Sequence, residues 1–206
     1  MPDFTLLAVF IPTFLFVSIT PGMCMTLAMT LGMSIGVRRS LWMMAGELVG
    51  VGLVALAAVL GVAAIMLNYP SLFAALKYVG GAYLVYLGIN LWRSRGKFAL
   101  TSEPGPRPHP MALISQGFVT AVANPKGWAF MVSLLPPFIN VERPMAPQLM
   151  ALLSIILITE FACLLLYAGG GKSLKALLSR GDNLTLLNRI AGSLMAFVGL
   201  WLAFGD

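Results

Sequence analysis

Long apolar runs separated by short basic stretches dominate this sequence, at 4–36, 41–69, 71–92, 111–141, 145–171 and 183–205. A helix crossing the roughly 30 Å hydrocarbon core of a bilayer needs about 20 residues, so all six runs are long enough to span. Composition closes off the alternative: 59% of the 206 residues are apolar and 10% are charged, against about 25% charged in ordinary soluble domains. Lipid is the expected solvent. A transmembrane β-barrel would alternate inward and outward residues over segments of about 10 residues, and stretches such as Leu48 to Ala64 show no alternation.

The net charge of +6 does not indicate a nucleic-acid partner, because the basic residues lie between apolar runs and form no basic face. Ten of them, Arg38, Arg39, Arg93, Arg95, Lys97, Arg107, Lys172, Lys175, Arg180 and Arg189, fall in loops one–two, three–four and five–six. Only Lys77 and Arg143 fall on the other side. The positive-inside bias therefore makes the three basic loops cytoplasmic and both termini periplasmic. The start, Met1-Pro2-Asp3-Phe4, lacks the basic region of a cleaved signal peptide. Four prolines between Arg93 and Pro110 mark a semi-rigid connector. The expected organisation is a three-helix repeat over 1–92, a proline-rich cytoplasmic linker over 93–110 and a second three-helix repeat over 111–206.

The halves carry matching signals. Gly81 to Leu91 and Gly192 to Leu202 both read G-x6-G-[IL]-x-L. Span one is interrupted by Thr20-Pro21-Gly22 and span four by Asn124-Pro125-Lys126-Gly127, while spans two and five each carry one acid, Glu47 and Glu160. Three spans per half is an odd number, so the halves enter the membrane in opposite senses. The expected fold class is thus an all-α integral membrane protein, six transmembrane helices arranged as an inverted 3+3 repeat with broken first and fourth helices. Paired interruptions in inverted halves point to a transport site near the midplane. A proline removes one N–H donor, and freed backbone groups persist at membrane depth only where protein or a water-filled cavity satisfies them. Either proline alone reads equally well as a packing kink; matched breaks beside Asn124 and Lys126 favour a site.

An ionised side chain at the centre of a membrane helix costs roughly 2.5–3.5 kcal/mol on insertion scales, so Glu47, Lys126 and Glu160 each need a partner or a cavity. Glu47 either snorkels towards Arg38 and Arg39 or takes part in function. Glu160, mid-span, is the stronger candidate, a proton carrier with Lys126 as its counter-ion, as a structural salt-bridge partner, or as a contact for a substrate carboxylate. Thr20, Pro21, Gly22, Glu47, Asn124, Pro125, Lys126, Trp128 and Glu160 form the candidate substrate and proton pathway. Met25, Met29 and Met33 are read as core or lipid contacts, and Gly32, Gly36, Gly46, Gly50 and Gly52 as a close approach of spans one and two. Trp42, Trp92 and Trp201 are read as interfacial anchors.

Other classes fit less well. Cys24 and Cys163 both lie in apolar runs and His109 in the proline-rich loop, so no metal site, cofactor or disulfide framework is expected. The spans contain no His, no Asp and no adjacent acid pair, which leaves an intramembrane enzyme without its nucleophile–base or metal chemistry. A membrane thiol relay needs cysteines at both breaks, and the residue matching Cys24 in the second half is Trp128. An accessory membrane subunit would need neither Glu160 nor the paired breaks. The expected partners are a small amino-acid-like solute, protons and the lipid bilayer, with a homodimer as a candidate assembly.

These residues resemble a known family. Thr20-Pro21-Gly22 with Gly32 and Gly36 before a basic turn, Gly80 to Gly88 with Trp92-Arg93, and Asn124-Pro125-Lys126 followed by Leu135-Pro136-Pro137-Phe138-Ile139 look like the lysine exporter (LysE/RhtB) family, in order, from about residue 5 to residue 204. The resemblance implies a small inner-membrane exporter of amino acids or related metabolites, driven by the proton-motive force. It places Pro21 and Gly22 at the family's first helix break, Asn124, Pro125 and Lys126 at its second, and Glu160, ahead of Tyr167-Ala168, at an acid of span five. Met23 after Gly22, and Pro136-Pro137 before Phe138, depart from the family pattern, so the substrate does not transfer with the fold.

Overall fold

A computed structural model describes residues 4–93, 108–135, 138–140, 143–178 and 183–204. Among the described residues the chain is helical without strands, and its helices are α1 (Phe4–Ile19), α2 (Met23–Ile35), α3 (Val37–Asn68), α4 (Pro70–Arg93), α5 (Pro110–Val122), α6 (Pro125–Leu134), α7 (Met145–Leu178) and α8 (Asn183–Phe204). Two stretches, Val37–Gly61 and Met145–Gly171, are each long and apolar enough to cross a membrane, and Leu7–Ile19 with Met23–Ile35 pass the same test as a pair bent by 55°. Most of the 93–110 linker lies outside the described residues.

The interruptions fall where local chemistry requires them. Pro21 cannot continue α1, and α2 restarts after Gly22. Pro125 occupies the first turn of α6 with Asn124 as its N-cap, the Asn124 Oδ1 accepting from the Lys126 backbone N–H at 3.1 Å. His109 caps α5 in the same way, its Nδ1 accepting from Met111 N at 3.3 Å. Gly36, at φ +82°, turns the chain from α2 into α3, a conformation that L side chains rarely adopt. On α7, buried Gln148 holds the preceding connection, donating to Asn140 O at 2.9 Å and accepting from Asn140 N at 2.9 Å.

Small residues decide which helices touch. The two G-x6-G motifs pack on each other: a Cβ on Gly81 would lie 2.5 Å from Gly199 O, and one on Gly88 would lie 2.5 Å from Gly192 O. Because 81 meets 199 and 88 meets 192, α4 and α8 run antiparallel. Arg189 was counted with the five–six connection; it lies inside α8, with its guanidinium 4.9 Å from the Trp92 ring centroid. The glycines of spans one and two also work differently from expectation. Gly32 abuts the backbone of Ala168 on α7, and Gly46 and Gly50 abut Ile114, Phe118 and Ala121 on α5. Gly46 and Gly50 therefore bring α3 against the other half of the chain rather than against α2.

Two apolar clusters fill the interior. Phe10, Phe14, Val54, Phe130, Phe138 and Ile156 belong to one, with Phe10 edge-on to Phe138 at 4.9 Å. Met25, Met29, Met43, Met44, Leu164 and Tyr167 belong to the other, which assigns Met25 and Met29 to packing. Along α3, Glu47 falls between Met44 of the second cluster and Val54 of the first; along α7, Glu160 falls between Ile156 of the first and Leu164 of the second. A thin polar layer is thus enclosed between two apolar plugs.

Candidate functional site

The broken ends of α1–α2 and α5–α6 meet in that layer. Pro21 has no N–H, which deprives the Val17 carbonyl four residues earlier of its helical donor. The Lys126 ammonium, from the first turn of α6, replaces it, donating to Val17 O at 3.3 Å and to Thr20 O at 3.4 Å. A cation is thereby held at the C-terminal, negative end of the α1 dipole. Tyr167 of α7 donates its hydroxyl to Ile19 O at 2.6 Å, and the Thr20 hydroxyl donates to Phe16 O at 2.7 Å. Four carbonyls at the end of α1 are therefore bound by side chains, three of them from the second half of the sequence. At the other break Lys126 N turns to Asn124, and the Trp128 indole N–H donates to Val122 O at 2.8 Å.

A cavity of about 70 Å³ opens between the breaks, large enough for a few waters. Its wall includes Ser18, Thr20, Gly22, Cys24, Asn124, Lys126 and Glu160 on the polar side, and Phe14, Val51, Val54, Phe130 and Met131 on the apolar side. The Ser18 side chain and the Glu47 carboxyl face Glu160, and the Lys126 charge lies close enough to act on it. Asn124 Nδ2 donates to Cys24 Sγ at 3.8 Å. Glu47 is fully buried, with Glu160 and the Cys24 thiol against its carboxyl. It does not snorkel towards Arg38 and Arg39, which are exposed at the start of α3.

Of the residues singled out in the sequence, Thr20, Gly22, Asn124, Lys126 and Glu160 line the cavity, and Pro21 and Pro125 make the breaks that open it. Glu47 sits behind the wall, against Glu160 and Cys24. Trp128 is 38% exposed and off the cavity, closing the end of α5. Sequence reasoning missed Ser18, the Val17 carbonyl and Tyr167. The Val17 carbonyl was within reach, since a proline inside a helix orphans the carbonyl four residues before it; Tyr167 entered only as a marker beside Glu160, and Ser18 had no signal beyond an apolar helix. Cys24 and Cys163 are both free and buried.

Apolar helices whose interruptions meet over enclosed ionisable groups are the arrangement expected of a membrane translocator. The chain belongs to the LysE type translocator family, whose model matches residues 15–205. It is similar, at 29% identity over 193 residues and 90% of both chains, to an uncharacterized membrane protein of Vibrio cholerae serotype O1. It is also similar, at 27% identity over 191 residues and 90% of both chains, to proteins of Salmonella typhimurium and Salmonella typhi named homoserine/homoserine lactone efflux protein. No solved structure matches the chain.

Proposed function

We propose that this protein is a secondary-active exporter of an amino acid or amino-acid-like metabolite, working by alternating access with proton antiport across a bacterial inner membrane. The observation that carries this reading is the meeting of the two broken helices through Lys126, around a cavity walled by Glu160. The antiparallel pairing of α4 and α8 through equivalent glycines supports an inverted arrangement of repeats 1–92 and 111–206 about the 93–110 linker. Family membership supports translocation, and the Salmonella relatives' name supports a homoserine-like solute. The basic loops favour a cytoplasmic linker and periplasmic termini.

The coupling reading follows from charge. Two carboxyls and one ammonium share the enclosed layer, so with all three ionised it carries one negative charge that a proton or a cationic group of the solute neutralises. Exchange of one for the other as access changes sides is antiport. Labelled homoserine counterflow in proteoliposomes containing only this chain tests the proposal. Saturable uptake that responds to an imposed proton gradient is expected, with the gradient response lost in Glu160→Gln. Absence of counterflow, or a Glu160→Gln variant that responds to the gradient as wild type does, refutes it.

A further inference from the structure

We propose that Phe14 and Phe130 form the gate through which this cavity empties, towards the face opposite the basic loops, and that main chain rather than side chains closes the basic-loop face. This rests on the export reading above and assigns its exit.

The cavity is bounded differently in its two directions. Towards the end of the molecule where α1 begins, its wall is already the first apolar cluster, since Phe14, Val54, Phe130 and Met131 belong to both. Phe14 comes from α1 and Phe130 from α6, one from each broken span, with ring centroids 5.8 Å apart. Phe10 stacks on Phe14 at 5.6 Å and stands edge-on to Phe138 at 4.9 Å. Side chains make this closure. α1 contains no glycine, and the nearest atoms to a Cβ on Gly127, the one glycine of α6, belong to the N-cap Asn124, at 3.7 Å. A Cβ on Gly52 of α3 would meet a side chain too, that of Leu157 at 3.7 Å. An aromatic ring leaves its place by rotation between staggered wells, without displacing its helix.

Towards the Gly36 turn, main chain meets main chain. A Cβ on Gly32 of α2 would overlap the Ala168 backbone of α7, one on Gly46 of α3 the Ile114 backbone of α5, and one on Gly117 of α5 the Met43 carbonyl of α3. Small residues allow helices to approach this closely in membranes. No rotamer change opens such a contact. α2 must part from α7, or α3 from α5, as whole helices, which is a slower class of motion than side-chain rotation. A solute in the polar layer is thus separated from one face by a pair of rings and from the other by packed backbones, the arrangement of an exporter poised to release.

Cys24 lines the cavity and reports its opening, while Cys163 is buried and not among the lining residues. Sealed vesicles of both orientations containing the full-length protein are treated with a membrane-impermeant methanethiosulfonate ammonium reagent, and modification of each cysteine is followed by non-reducing peptide mass spectrometry. A reporter fused after Asp206 identifies the face opposite the basic loops. Phe130→Ala is expected to speed Cys24 modification at least about tenfold from that face, because the closed state loses a packed ring, and to leave the rate from the basic-loop face within about twofold. Met29→Ala, which shortens a buried side chain of the second cluster, is expected to leave the basic-loop rate within about twofold of wild type. If Phe130→Ala does not fold, Phe14→Ala is read in the same way, and wild type decides by itself, with Cys24 modified faster from the face opposite the basic loops. The proposal is overturned by an unchanged rate in Phe130→Ala, by a Met29→Ala rate raised about tenfold from the basic-loop face, or by wild-type modification no faster from the opposite face. Labelling requires no transport, so the expected pattern without homoserine counterflow removes the export reading and leaves the gate; counterflow with an overturning pattern does the reverse.

Discussion

Replacing Lys126 by methionine keeps an unbranched, slightly shorter side chain and removes its ammonium, leaving Val17 O and Thr20 O without their side-chain donor. A hydrogen bond to a charged group is worth about 1.5–3 kcal/mol. At 3.3 and 3.4 Å both bonds belong at the low end, giving about 3 kcal/mol together. Methionine also ends the penalty of burying an ammonium, which returns part of that sum, so the net loss is about 2 kcal/mol. For a chain of this size 1 kcal/mol moves the melting temperature by roughly 2–4 °C, so Lys126→Met is expected to melt about 4–8 °C lower. Cys24 and Cys163, both free and buried, allow a thiol-reactive fluorogenic dye to report unfolding of the purified protein. Specificity comes from a double-mutant cycle. Pro21→Ala restores an N–H that can serve Val17 O, so in that background Lys126→Met is expected to cost about 1 kcal/mol less. A melting temperature within about 1 °C of wild type, or a cost unchanged by Pro21→Ala, refutes the role of Lys126 at the α1 break.

Other perturbations test the surrounding structure. Tyr167→Phe removes the donor to Ile19 O at 2.6 Å and is expected to destabilise by about 1 kcal/mol in the same melting assay, with the cost adding to that of Lys126→Met unless the two share the α1 end cooperatively. Gly88→Leu drives a side chain into Gly192 O, 2.5 Å from where its Cβ would sit, and is expected to cost more than the roughly 1–3 kcal/mol typical of overpacking, seen as loss of monodisperse protein; Gly61→Leu, with nothing near its Cβ position, is the control. A reporter fused after Asp206 is expected to read periplasmic, and a cytoplasmic signal contradicts the orientation taken from the basic loops.

The helices were legible because lipid demands uninterrupted apolar length, and both breaks were legible because proline and its neighbours act locally. Glu160 stood out for the same reason, as a charge where charge is costly. The inward turn of Glu47 was not legible: a helix apolar all round has no polar face to fix its rotation, so shallow and buried positions read alike. The glycines show a related limit. Gly46 and Gly50 announce close helix contact, but sequence does not name the partner, and proximity along the chain suggested α2 where α5 and its Ile114 and Ala121 are the contacts. Arg189 reads as a loop residue because charge counting locates sides of a membrane rather than helix ends; it lies within α8, its guanidinium 4.9 Å from the Trp92 ring centroid.

The central claim is that the chain alone carries an amino-acid-like solute through the layer between the breaks, with Glu160 as a working group. Counterflow of labelled homoserine into proteoliposomes, compared between wild type and Glu160→Gln with and without an imposed proton gradient, measures it most directly. Wild type is expected to accumulate label above empty liposomes and to respond to the gradient, and Glu160→Gln to lose that response. Accumulation no greater than in empty liposomes, or an identical gradient response in both proteins, contradicts it.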